Sequence, residues 1–124
     1  MREIKFRAWS FGLKKMFSAE EMASDQMALL PDGYFANIHS KSTKLSRIFT
    51  HEEMLPLQFT GLKDKNGKEI YEGDILGFHV GEDNEIQWTV KWSTTPYTAH
   101  YDFGIMPRAD FCTVIGNIYE NPEL

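Results

Sequence analysis

Four carboxylates, Asp64, Glu69, Glu72 and Asp74, follow one another closely enough to gather a divalent cation, and oxygen ligands of that kind support metal-assisted hydrolysis. Turn chemistry explains the same residues better. Asp64 suits the first position of a type I turn, Glu69 stands where it can pair with Lys63, and Asp74 follows Gly73 at the start of a strand. The other reactive side chains are scattered. His39, His51, His79 and His100 occur singly, with no spacing that sets two ligands on one helical face, and His51-Glu52-Glu53 reads as a solvated polar turn. Cys112 is the sole cysteine, in an apolar stretch with only Arg108 as a nearby cation, the setting of a buried and inert thiol. Gly61, Gly67 and Gly73 recur at even spacing, but each falls at a separate turn and no phosphate-cradling loop results. No catalytic residue, metal site or cofactor is expected.

Binding is the remaining chemistry. Trp88 and Trp92 share a strand face with Ile86 and Val90, which assigns them to the core ahead of a base-stacking platform. Trp9 differs, because it shares the outward face of the first strand with Lys5 and Arg7. Together with Lys41, Lys44 and Arg47 from a basic loop, these residues make the candidate partner-binding surface; a rim covered by the helix is the bland alternative. A net charge of -5, from 13 Lys+Arg against 18 Asp+Glu, opposes a generic nucleic-acid binder. The Lys5, Arg7 and Trp9 face keeps a nucleic-acid-binding barrel as the alternative to a protein-binding module, with metal-dependent hydrolysis third. No apolar run reaches the roughly 18 residues of a membrane span, and one cysteine excludes an internal disulfide. A cytoplasmic, untargeted protein is expected.

The elements that must position these residues follow from periodicity. Residues 2–9 alternate as a half-buried strand, with Ile4, Phe6 and Ala8 on one face and Lys5, Arg7 and Trp9 on the other. Ser18 and Glu21 have the spacing of a capping box, predicting a helix of about two turns that ends near Ser24-Asp25. Pro31-Asp32-Gly33 then turns Met27–Leu30 back onto Tyr34–Ile38 as a hairpin, against the rival of a helix running to Leu30. Residues 39–47 are polar and aperiodic, the best internal boundary.

Beyond it the chain is almost wholly strand. Leu55, Leu57 and Phe59 alternate, and Pro56 requires that this strand begin there or lie at an edge. In the following hairpin, a two-residue Asn66-Gly67 loop would set Lys65 against Lys68 and Asp64 against Glu69. A three-residue loop with a Gly67 bulge instead opposes Asp64 to Lys68, Lys63 to Glu69 and Leu62 to Ile70, each pair worth about 0.2–1 kcal/mol, and that register is predicted. Strands carrying Leu76, Phe78 and Val80, then Glu85–Ser93, then residues 99–105 and Phe111–Tyr119, complete the chain.

Three stretches read together carry a resemblance: Met1-Arg2-Glu3-Ile4-Lys5-Phe6-Arg7-Ala8-Trp9, the long run from Gln58-Phe59-Thr60-Gly61-Leu62 through Tyr71-Glu72-Gly73-Asp74-Ile75, and Val114-Ile115-Gly116-Asn117-Ile118-Tyr119-Glu120-Asn121-Pro122-Glu123-Leu124. In order and wording they resemble the YopX family, end to end. The resemblance implies a phage or prophage protein acting in the bacterial host cytoplasm, and brings no catalytic residues to carry over.

The expected fold is therefore mainly β: one domain over residues 1–124, with a small α+β portion at about 1–47 and an SH3-like small β-barrel at about 54–124. Strands 54–60 and 111–119 carry more apolar faces than one small barrel covers. Either Cys112, Val114 and Ile118 or Phe111, Ile115 and Tyr119 can line its core. The other set needs cover from Met22, Met27 and Leu30 or from a second subunit, so self-association is expected, alongside an unidentified host or phage protein as partner.

Overall fold

In the computed structural model, which describes residues 3–38, 45–82, 84–94, 99–102 and 109–124, the described residues are mainly in strands and include one α-helix. The chain divides into two compact units, Lys5–Gln58 and a second made of Met1–Ile4 with Phe59–Leu124. The stretch 39–47 is not the divide. Its last residues belong to a strand, Leu45–Phe49, and the division falls between Gln58 and Phe59, inside the strand Met54–Lys63.

The first unit runs β1 (Phe6–Ser10), β2 (Lys15–Phe17), α1 (Ala19–Ser24), β3 (Met27–Leu29), β4 (Phe35–Ile38), β5 (Leu45–Phe49) and the start of β6 (Met54–Lys63). β1 lies between β2 and β6, so Trp9 stands opposite Met16 on one side and Leu55 on the other. This corrects the outward placement of Trp9: it is 6% exposed, and its ring meets the edge of Phe11 at 6.5 Å. Alternation separates the two faces of a strand but does not reveal that both are covered, as the burial of Ala8, Trp9 and Ser10 shows for β1. β2 itself carries too short a pattern to be seen; Lys14 at φ +52 reverses the chain into it.

Over Met54–Gln58 the described pairing of β6 is to β1 alone, with Pro56 opposite Ala8, an edge-like setting that tolerates the missing amide. In α1, Ser18 Oγ accepts the Glu21 amide at 3.1 Å and Glu21 returns the bond to the Ser18 amide at 3.2 Å, the expected box. Gln26 at φ +57 then ends the helix and starts β3, so no helix runs to Leu30. The β3–β4 hairpin closes as anticipated, with the Gly33 amide donating to the Leu30 carbonyl at 2.9 Å. Ala8, Met22, Phe35 and Met54 form the core of this unit.

The second unit continues β6 into β7 (Glu69–Tyr71), then β8 (Asp74–Val80), β9 (Asn84–Thr89), β10 (Lys91–Thr94), β11 (Ala99–Asp102), a 3-10 turn at Ala109–Phe111 and β12 (Thr113–Asn117). Its sheets are β12-β8-β9 and the ribbon β10-β11, beside the β6–β7 pair. The 62–71 hairpin adopts the three-residue loop: Lys63 faces Glu69, the Asp64 amide donates to the Lys68 carbonyl at 2.8 Å, and Gly67 sits at φ +82. Leu62 does not face Ile70. Thr60 Oγ1 donates to the Ile70 carbonyl at 2.8 Å and Gly61 takes φ +88, so Leu62 is turned out, 45% exposed, while Ile70 is fully buried.

The strand expected over Glu85–Ser93 breaks at Val90, whose amide and carbonyl are held by Asp74 and Gly73 at 2.8 and 2.9 Å, two residues against one. β12 is shorter than Phe111–Tyr119, and of the strand expected over 99–105 the described part is Ala99–Asp102, residues 103–105 lying outside the described residues. Ile70, Leu76, Val90 and Cys112 make the core, with Val114 packed on it, whereas Phe111 and Ile118 remain exposed. Each of those buried aliphatic side chains contributes about 1.5–3 kcal/mol.

Candidate functional site

The described members of the candidate surface are not gathered on one strand or sheet face. Lys5 and Arg7 are half-buried around β1, Trp9 is in the interior, and Lys41 and Lys44 lie outside the described residues. Arg47 belongs to β5, on the separate sheet β3-β4-β5. With Trp9 buried, the aromatic platform that motivated nucleic-acid binding is not presented to solvent.

Arg47 instead forms part of the wall of a cleft of about 800 Å³ within the first unit, a size typical of ligand sites. Its apolar lining comes from Phe17, Met22, Met27, Phe49 and Met54, with Leu13 at the lip, 71% exposed. Met22 and Met54 are buried core residues, and Phe17, Met27 and Phe49 pack against that core half-buried. The Arg47 guanidinium lies 4.4 Å from the centre of the Phe49 ring and pairs with Glu53 Oε2. Glu53 Oε1 accepts the Thr50 amide at 3.2 Å. That bond, joined by the Arg47 charge and its hydrogen bond, outweighs the effect of burial and holds the Glu53 carboxyl below the usual carboxylate range. Asp25 and Glu52 complete the acidic rim.

None of these lining residues except Arg47 was singled out as a site in the sequence. A signal existed: three of the six methionines, Met22, Met27 and Met54, share this cleft, and flexible thioethers serve adaptable surfaces.

The residues with catalytic potential are engaged elsewhere. Asp64 Oδ1 accepts the amides of Asn66 and Lys68 at 2.8 and 2.9 Å, and its Oδ2 accepts that of Val114 at 2.9 Å. Burial raises its pKa, but the Val114, Lys68 and Asn66 donors and the Lys68 charge outweigh that and hold the carboxyl below its ordinary value. Asp74 Oδ2 accepts the Tyr71 amide at 2.8 Å. Lone pairs occupied in this way serve the fold. Cys112 is fully buried; burial, aided by Asp110, pushes its thiol up, away from nucleophilic character. His51 is not merely solvated: Nε2 bonds the Gly33 carbonyl at 2.8 Å and the ring lies 4.6 Å from that of Tyr34. No helix among the described residues is long and apolar enough to cross a membrane.

The chain is thus mainly β, and its first unit holds an open cleft with an apolar floor. The chain belongs to the YopX family: the family described as YopX protein matches residues 5–124. Among solved structures it is similar to protein EF1440 from Enterococcus faecalis, with 24% identity over 99% of this chain and 98% of that one and a TM-score of 0.62, a likeness of fold. No curated protein matches it.

Proposed function

We propose that this YopX chain is a non-enzymatic, oligomeric protein-binding module, encoded by a phage or prophage and acting in the bacterial host cytoplasm, with residues 54–124 built on an SH3-like plan. The cleft of the first unit carries the reading. A cleft of about 800 Å³ with an apolar floor of methionine and phenylalanine and a polar rim suits apolar side chains of another protein better than a small polar substrate. The use of Asp64 and Asp74 as acceptors for backbone amides supports a binding role over metal-dependent hydrolysis.

Site-specific photo-crosslinking in host cells tests it. A photoreactive residue placed at Leu13 is expected to capture a discrete protein, and the same residue at exposed Lys65 is not. Equal labelling from both positions, or none from Leu13, would overturn the proposal.

A further inference from the structure

The rim of this cleft carries charge that its apolar floor does not require, and we infer that the occupant is a basic amphipathic protein segment, apolar on one side and lysine- or arginine-bearing on the other. The inference rests on the protein-binding reading and names the partner chemistry of the same site. Arg47 is paired with Glu53. Among the described residues that leaves Asp25 and Glu52, both exposed, as the charges facing an incoming segment. Asp25 is the C-cap of α1, whose last turn holds no basic residue to offset its charge. A cation is the complement of such an edge, and the nearby carboxylates disfavour a phosphate backbone.

The floor fits the other half of the segment. Met22, Met27 and Met54 adapt to side chains of different shape, and Phe17 and Phe49 add rigid apolar area. The backbone bordering the cleft is also unusual. Among the described residues, the non-glycine ones held at positive φ are Lys14, next to Leu13, and Gln26, between Asp25 and Met27; strain of that kind concentrates at functional sites.

Fluorescence anisotropy with the full chain and three labelled synthetic peptides of about 14 residues decides it. One places leucine and lysine at helical spacing, the second replaces lysine by glutamate, and the third replaces leucine by serine. The leucine–lysine peptide is expected to bind roughly tenfold or more tighter than either control. Leu13→Ser should weaken it, and Asp25→Lys with Glu52→Lys should weaken it by a similar factor and favour the leucine–glutamate peptide. All three positions are exposed, and unchanged melting curves establish that the variants fold. Equal binding of the lysine and glutamate peptides, weakened only by Leu13→Ser, would overturn the basic partner while leaving a protein-binding cleft. Absence of saturable binding by all three would overturn both readings. Binding of the serine–lysine peptide as tight as the leucine–lysine one, or saturable binding of a labelled single-stranded oligonucleotide to the chain itself, would overturn the amphipathic assignment.

Discussion

Asp64 Oδ2 accepts the Val114 amide at 2.9 Å across a separation of 50 residues, so one carboxylate both closes its own turn and ties it to β12. The Lys65 amide, donating to the Cys112 carbonyl at 3.0 Å, doubles the tie. Asp64→Asn keeps the shape but sets an amide NH2 against a backbone donor, and is expected to cost about 1–3 kcal/mol in urea unfolding. Asp64→Lys should cost more. Because the loss is of amide acceptors, adding Lys68→Asp should restore little of it, against the simple charge-pair reading of this hairpin.

The same residue sets a pH dependence. Its folded pKa lies below the unfolded value, so its stabilisation is present above the unfolded carboxylate pKa of about 3.9 and is lost as pH falls through the lower, folded value. Melting of the wild type should therefore approach that of Asp64→Asn as the solution is acidified. A constant gap between them down to low pH would contradict the assignment.

Two glycines separate conformational strain from crowding. Gly67 and Gly73 have nearly equal φ, +82 and +85, but a Cβ on Gly67 meets nothing within 4 Å, whereas one on Gly73 falls 2.9 Å from Tyr119 Cε2. Gly67→Ala should cost about 1–2 kcal/mol, the left-handed penalty for an L-residue. Gly73→Ala should cost more by thermal denaturation, and Tyr119→Ala introduced beside it should recover the excess.

Gln26 occupies the left-handed position after a helix end that glycine usually fills. Gln26→Gly removes a strain of roughly 1–2 kcal/mol and gives back part of it through the freer unfolded chain, for a net stabilisation of about 0.5–1 kcal/mol in thermal melts. Tighter packing without a change in peptide binding would make this strain a feature of the fold alone.

Self-association is expected to run through Phe111, Ile118 and Leu124, which are 54%, 41% and 49% exposed. Met22 and Met27, the internal cover considered for such residues, are committed to the core of the first unit. Light scattering after size exclusion should give a multiple of the 14.4 kDa chain mass, reduced by Phe111→Ser with Ile118→Ser. A single-chain mass unchanged on tenfold concentration would exclude it.

The features that the sequence alone determined are those whose interactions span a few residues. Ser18 and Glu21 cap a helix, Pro31-Asp32-Gly33 turns a hairpin, and Gly67 selects its loop because partner and geometry lie within one turn of chain. Tertiary structure decided what depends on which strand lies alongside. Trp9 reads as an outward residue until both faces of its strand are covered, leaving Ala8, Trp9 and Ser10 all buried, and Val90 reads as mid-strand until Gly73 and Asp74 take both of its backbone groups. Arg47 reads as a loop cation until β5 pairs with β4 and sets it beside Phe49 and Glu53. Alternation specifies which residues share a face, whereas the neighbour covering that face is chosen by long-range packing that no local pattern records.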